Sequence, residues 1–205
     1  DSVLEDDESV TLSLTAIDAG DSDITIGTND QATVTISDND FADVAIAATD
    51  AAAGEPNDNG RFTVTLSAIS DTDTIVNYTI AGDATNGSDY MSLAGSVTIF
   101  ANQTAAIINV NVTNDTVIED DETVTLNLES PLAGGNGNIT VNTDPATVTI
   151  SDNDFGNVSI VATTATAAEP DSDGQFTVSI DQISDTDTVL AYTVTGNATP
   201  NSDYT

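Results

Sequence analysis

The chain has 205 residues, of which 35 are acidic and one, Arg61, is basic, giving a net charge of −34. That balance excludes nucleic acid and anionic membrane as electrostatic partners, because both need Lys or Arg. Cys and His are absent, which removes disulfide frameworks, thiolate metal sites and the commonest general base. No apolar run approaches the ~20 residues needed for direct membrane insertion.

Strand signals run through the whole sequence: period-two alternation rich in Val, Ile and Thr, punctuated by Gly, Asn and Asp. ESVTLSL and ATVTISD within residues 1–40 read as the last two strands of a module. Seven further strands are predicted over about 43–49, 61–67, 74–80, 95–100, 106–112, 122–128 and 146–152. Seven short strands in a stretch of this length suit a β-sandwich of immunoglobulin type. Residues 155–205 then restart the pattern. The expected architecture is all-β: the C-terminal part of one module over 1–40, a complete module over 41–154, and the N-terminal part of another over 155–205.

This division rests on an ungapped self-repeat. DTVIEDDETVTLNL at Asp115–Leu128 restates DSVLEDDESVTLSL at Asp1–Leu14, and ATVTISDNDF at Ala146–Phe155 restates Ala32–Phe41 letter for letter. Such a repeat marks a modular array. Asp154 is followed at once by Phe155 and the next strand, with no flexible Gly/Pro/Ser linker. A stiff array, cut from a longer polypeptide, is therefore expected.

The recurring residues include carboxylates at fixed places: Glu5/Glu119, Glu8/Glu122, Asp38/Asp152, Asp40/Asp154, Glu55/Glu169 and Asp89/Asp203. If each strand reverses on its predecessor, twelve of the 17 acids in the complete module gather at one end of the sandwich. Parity places Val148, Ile150 and Asp152 on one line, and Glu122 on the line of Val124, Leu126 and Leu128. The acids should therefore converge over the mouth of the sandwich. Close carboxylates repel by roughly 1–4 kcal/mol per pair, and no Lys, Arg or His stands among them. Calcium fits this set, since it takes six to eight hard oxygen ligands in irregular geometry. Glu119, Glu122, Asp152 and Asp154 form the strongest candidate set. Asp58, Asp83 and Asp120 read as solvated.

These motifs resemble the Calx-beta domain, the calcium-binding sandwich of sodium–calcium exchangers, integrin β4 and many bacterial surface proteins. Glu55–Pro56, GDATNGSDY at Gly82–Tyr90, NDTVIEDDETVTLNL and ATVTISDND match its pattern in order and spacing across the chain. The resemblance implies calcium ligands at Glu55, Asp89, Asp115, Glu119, Asp121, Glu122, Asp152 and Asp154. Their counterparts in the flanking parts are Glu5, Asp7, Glu8, Asp38, Asp40, Glu169 and Asp203. Asn114 and Asn153 stand where some members carry acids.

Tyr90 and Tyr204 read as rim-packing residues. No nucleophile–base pair, phosphate loop or cofactor fingerprint occurs, so the chain is not expected to be an enzyme. The expected function is a calcium-stiffened structural repeat of a large extracellular bacterial protein, an adhesin stalk or filament. Its partners would be calcium ions, neighbouring modules and other copies in a filament. The alternative is a calcium-sensing regulatory module, as in the exchangers. Near-identical modules at constant spacing favour the array.

Overall fold

A computed structural model describes residues 2–130 and 132–204. Asp1 and Thr205, which open and close the expected domain spans, lie outside the described residues. The chain forms two compact units, Asp1–Asp115 with Asp121–Asn153, and Thr116–Asp120 with Asp154–Thr205.

The first unit opens with β1 (Glu8–Ser13) and β2 (Gln31–Ile36), an antiparallel hairpin. The sandwich follows as β3 (Ala42–Asp50), β4 (Ala52–Gly54), β5 (Gly60–Leu66), β6 (Thr74–Ala81), β7 (Ser96–Ile99) and β8 (Ala105–Val110). After β9 (Val117–Ile118), which groups with the second unit, it continues with β10 (Glu122–Leu128), β11 (Ile139–Val141) and β12 (Ala146–Ser151). One sheet has the order β4-β12-β10-β6-β7 and the other β11-β3-β5-β8. All seven expected strands form, with no end displaced by more than two residues. The strand expected over 106–112 stops at Val110, and Val112 instead bridges Tyr90 in the loop after β6.

Alternation explains the core. β12 is buried at Ala146, Val148 and Ile150 and open between them, while β10 buries Val124, Leu126 and Leu128. Val44, Phe62, Val64, Leu66, Ile108 and Val110 meet them from the opposite sheet. Each such aliphatic side chain, taken fully from water, contributes about 1.5–3 kcal/mol. The hairpin β1–β2 repeats the sequence of β10 and β12, yet Val10, Leu12, Val34 and Ile36 are exposed. The same alternation buries side chains only where a second sheet covers it.

Two features add to the expected strand set. The first strand of the sandwich changes sheets: β3 pairs antiparallel with β5, and after Ala51 the chain crosses so that β4 pairs parallel with β12. On the other side, β11 pairs parallel with β3.

The second unit contains β9, β13 (Val158–Thr164), β14 (Gln175–Ile180) and β15 (Ile183–Ser184). β13 and β14 are antiparallel, and β15 lies parallel to β9. Among the described residues there is no helix long and apolar enough to cross a membrane.

Candidate metal centre

The loop after β6 shows how local sequence aims a carboxylate. Gly82 has φ +114°, a backbone region that disfavours side chains, and a Cβ there would lie 2.0 Å from the Thr123 carbonyl oxygen. Only glycine allows this approach. Asp83 then accepts hydrogen bonds from the Thr123 amide at 2.6 Å and the Thr123 hydroxyl at 2.5 Å. These bonds, the hydroxyl's first, hold its carboxyl below the usual range. Asp83 is thus an anchor between the loop and β10.

Beyond Asp83 the chain makes a tight turn. The Ser88 and Asp89 amides donate to the Thr85 carbonyl, and the Asp89 carboxylate accepts the Thr85 amide at 2.5 Å. Asp89 is 9 % exposed. Its carbonyl takes the Thr113 amide, which ties the turn to the chain leaving β8. Tyr90, expected at the rim, is instead fully buried in the core. Burial raises its phenol pKa first, and the Asp89 charge adds to that.

β4 sets the other carboxylate. The Glu55 amide donates to the Ser151 carbonyl at 3.0 Å, and reciprocal bonds between Gly54 and Asp58 close the short loop that carries Glu55. The side chain points back toward the chain after β8, where Glu55 Oε1 accepts the Asp115 amide at 3.3 Å.

Within the first unit the acids therefore meet as two pairs. Glu55 and Asp152 bring carboxylate oxygens within 4.8 Å of one another, and so do Asp89 and Glu122. Loops after β4 and β6 each supply one member, and the ends of β12 and β10 supply the other. At this spacing each pair repels by roughly 1–4 kcal/mol, and the only basic side chain, Arg61, lies on β5. Hard oxygen donors without nitrogen or sulfur suit calcium.

The Calx-beta domain family model matches residues 1–40, 43–154 and 152–205. The chain belongs to the Calx-beta family. Among solved structures, the apo form of the Calx CBD1 domain is similar at 20% identity, with a TM-score of 0.44, covering 56% of this chain and 100% of that one. A structure described as the calcium binding domain CBD12 of CALX1.1 matches at 20% identity and a TM-score of 0.41, over 54% of this chain and 45% of that one. A two-domain protein of unknown function from Bacteroides fragilis matches at 7% identity and a TM-score of 0.39, over 61% and 56%. No curated protein sequence matches the chain.

The other acids of the Calx-beta pattern are placed as follows. Asp115 is half-buried beside Glu55, while Asp121 is exposed and, among the described residues, belongs to neither close group. Glu119 and Asp154 are half-buried and group with the second unit, as do the exposed Glu169 and Asp203. Asp203 takes the Thr199 amide as Asp89 takes that of Thr85, so the turn recurs. In residues 1–40, Asp38 accepts the Glu5 amide at 3.2 Å, and Asp7 accepts the Asp38 amide and the Ser37 hydroxyl. The Glu5 bond holds the Asp38 carboxyl below its usual range. Glu8 opens β1 and Asp40 donates its amide to Asp38. Asp58 and Asp120 are exposed.

The two departures from the pattern prove to be one. Asn153 Nδ2 donates to Asn114 Oδ1 at 3.3 Å, and Asn114 Nδ2 donates to the Asp115 carbonyl. An amide pair is joined where two carboxylates would repel. Sequence reasoning noted both asparagines but gave no reason to place them together.

Proposed function

We propose that the chain is a calcium-stiffened structural segment of a large extracellular bacterial protein, a stalk or filament, and that it carries no catalytic activity. The observation that carries this reading is the meeting of Glu55 with Asp152 and Asp89 with Glu122 in a chain with one basic side chain. A solvated acidic surface would separate these groups, whereas an oxygen-coordinated cation brings them together. Asp115, Glu119, Asp121 and Asp154 are proposed as further ligands, on the family pattern and their nearness along the chain.

The donor set of carboxylate oxygens, without nitrogen or sulfur, supports the choice of ion. The ungapped repeat supports the array: residues 1–40 and 155–205 are read as parts of flanking modules. Asp152 and Asp154 end one repeat as Phe155 begins the next. An ion held there would fix the chain where modules join. Weak extracellular sites work at 10⁻⁴–10⁻³ M calcium, which suits a secreted protein.

Calcium titration followed by calorimetry and small-angle scattering tests the reading. Calcium should raise thermal stability and extend the chain, and a chelator should reverse both. Glu119→Gln with Asp152→Asn should act like the chelator. Unchanged stability and unchanged length on chelation would overturn the proposal.

A further inference from the structure

Leu4 is fully buried, although it leads into a hairpin whose own apolar side chains are exposed. It is held by the complete module. Its amide donates to the Ile69 carbonyl at 2.8 Å, and its carbonyl accepts the Asp71 amide at 3.0 Å, making a parallel bridge to Ser70. Asn136 Nδ2 donates to the Glu5 carbonyl at 2.7 Å, and both Ser70 and Asn136 are buried. Ala42 and Leu66 share the buried cluster with Leu4.

The second unit repeats the arrangement at the equivalent residues. Ile118 pairs in parallel with Ser184, and the Asp185 amide donates to the Ile118 carbonyl at 3.2 Å. A Cβ on Gly156 would lie 2.5 Å from Ile118 Cδ1 and 3.1 Å from Ile180 Cδ1. By the repeat, Ile118 stands for Leu4, Gly156 for Ala42 and Ile180 for Leu66. Where the inserted residue and the wall are leucine, the floor is alanine. Where both are isoleucine, whose branched β-carbon brings bulk closer to the backbone, the floor is glycine.

We propose that each junction is held by an aliphatic knob, Leu4 or Ile118, seated in a socket of the following module and matched to it in shape. The knob lies immediately before the acids Glu5 and Glu119, so it adds to the calcium reading without depending on it. It offers no oxygen side chain and does not titrate. Docking therefore persists in part when calcium is removed. The matched pairs further imply that a socket discriminates between knobs, favouring the native neighbour over another module of the array.

The test uses the full chain with paired spin labels, one on the exposed face of the 1–40 hairpin and one on the complete module. Wild type should give a narrow distance distribution in calcium and a broader, still peaked one in chelator. Leu4→Asp should lose the narrow peak in calcium while calcium stoichiometry stays unchanged and the complete module still melts cooperatively, at a lower temperature. Leu4→Met should keep it. In a second labelled pair across the other junction, Gly156→Val should broaden the distribution, and Ile118→Val added to it should partly restore it. A narrow peak in both Leu4→Asp and Gly156→Val overturns the proposal. So does a wild-type chain that becomes as broad in chelator as Leu4→Asp in chelator, a result that leaves the calcium reading standing. Loss of the peak in Leu4→Asp together with no calcium binding by wild type would sink the calcium reading and keep the knob.

Discussion

A carboxylate in this chain is defined by what its loop gives it. Asp83 receives two donors from Thr123, so its folded pKa is depressed, and the resulting stability is present above the ordinary value of about 4. It is lost as pH falls through the depressed value. Asp83→Ala should lower the melting temperature at neutral pH, and the gap to wild type should narrow under acid, as a pH series of melting curves would show. The amide pair Asn114–Asn153 makes the opposite case. Asn114→Asp with Asn153→Asp should destabilise the chelated chain through new repulsion and raise both calcium affinity and ion count. Isothermal titration alongside melting separates the two effects. Neither consequence was legible in the sequence. The pairing of Asn114 with Asn153 joins residues 39 apart, and nothing in either motif announces the other.

At the scale of elements, the strands were legible wherever alternation had a buried face to serve. ETVTLNL and ATVTIS became β10 and β12 with the expected parity. The sheet change at β4 was not, because Ala52–Gly54 carries no side chain large enough to show a period. β9 was hidden for another reason: its partner lies in the next repeat, so no local pattern reports it. The aliphatic pairs Val3–Leu4 and Val117–Ile118, recurring among acids, were the available signal. The sheet change also positions the metal site, since Glu55 follows β4 directly. A Cβ on Gly54 would lie 2.5 Å from Ser151 Oγ. Gly54→Val should push β4 off β12, cost about 1–3 kcal/mol and weaken calcium binding. Denaturant melts with and without calcium would show both losses, and loss of stability alone would detach β4 from the site.

For the whole molecule, charge is the governing quantity. With 35 acids against one Arg, self-repulsion opposes compactness unless it is neutralised or screened. At 1 M salt the screening length falls to about 3 Å. Sodium chloride should therefore raise the melting temperature of the chelated chain and change the calcium-loaded chain far less. An equal response in both would mean that the ions do not neutralise the clustered acids. The division into units was not visible from the sequence. Thr116–Asp120 lies between two segments of the first unit along the chain yet groups with the second.

The parallel pairing of β4 with β12 has a mechanical meaning. One strand lies near the start of the complete module and the other at its end. Their rungs, Thr149 with Ala52, Ile150 with Ala53 and Ser151 with Gly54, lie across the direction along which a stretched chain is pulled. Tension applied through the two ends slides one strand along the other and strains the rungs together. An antiparallel pair pulled from one end would give way a rung at a time. Resistance to force is set by the rate of unfolding rather than its equilibrium, and a three-rung patch loaded in shear is slow to break.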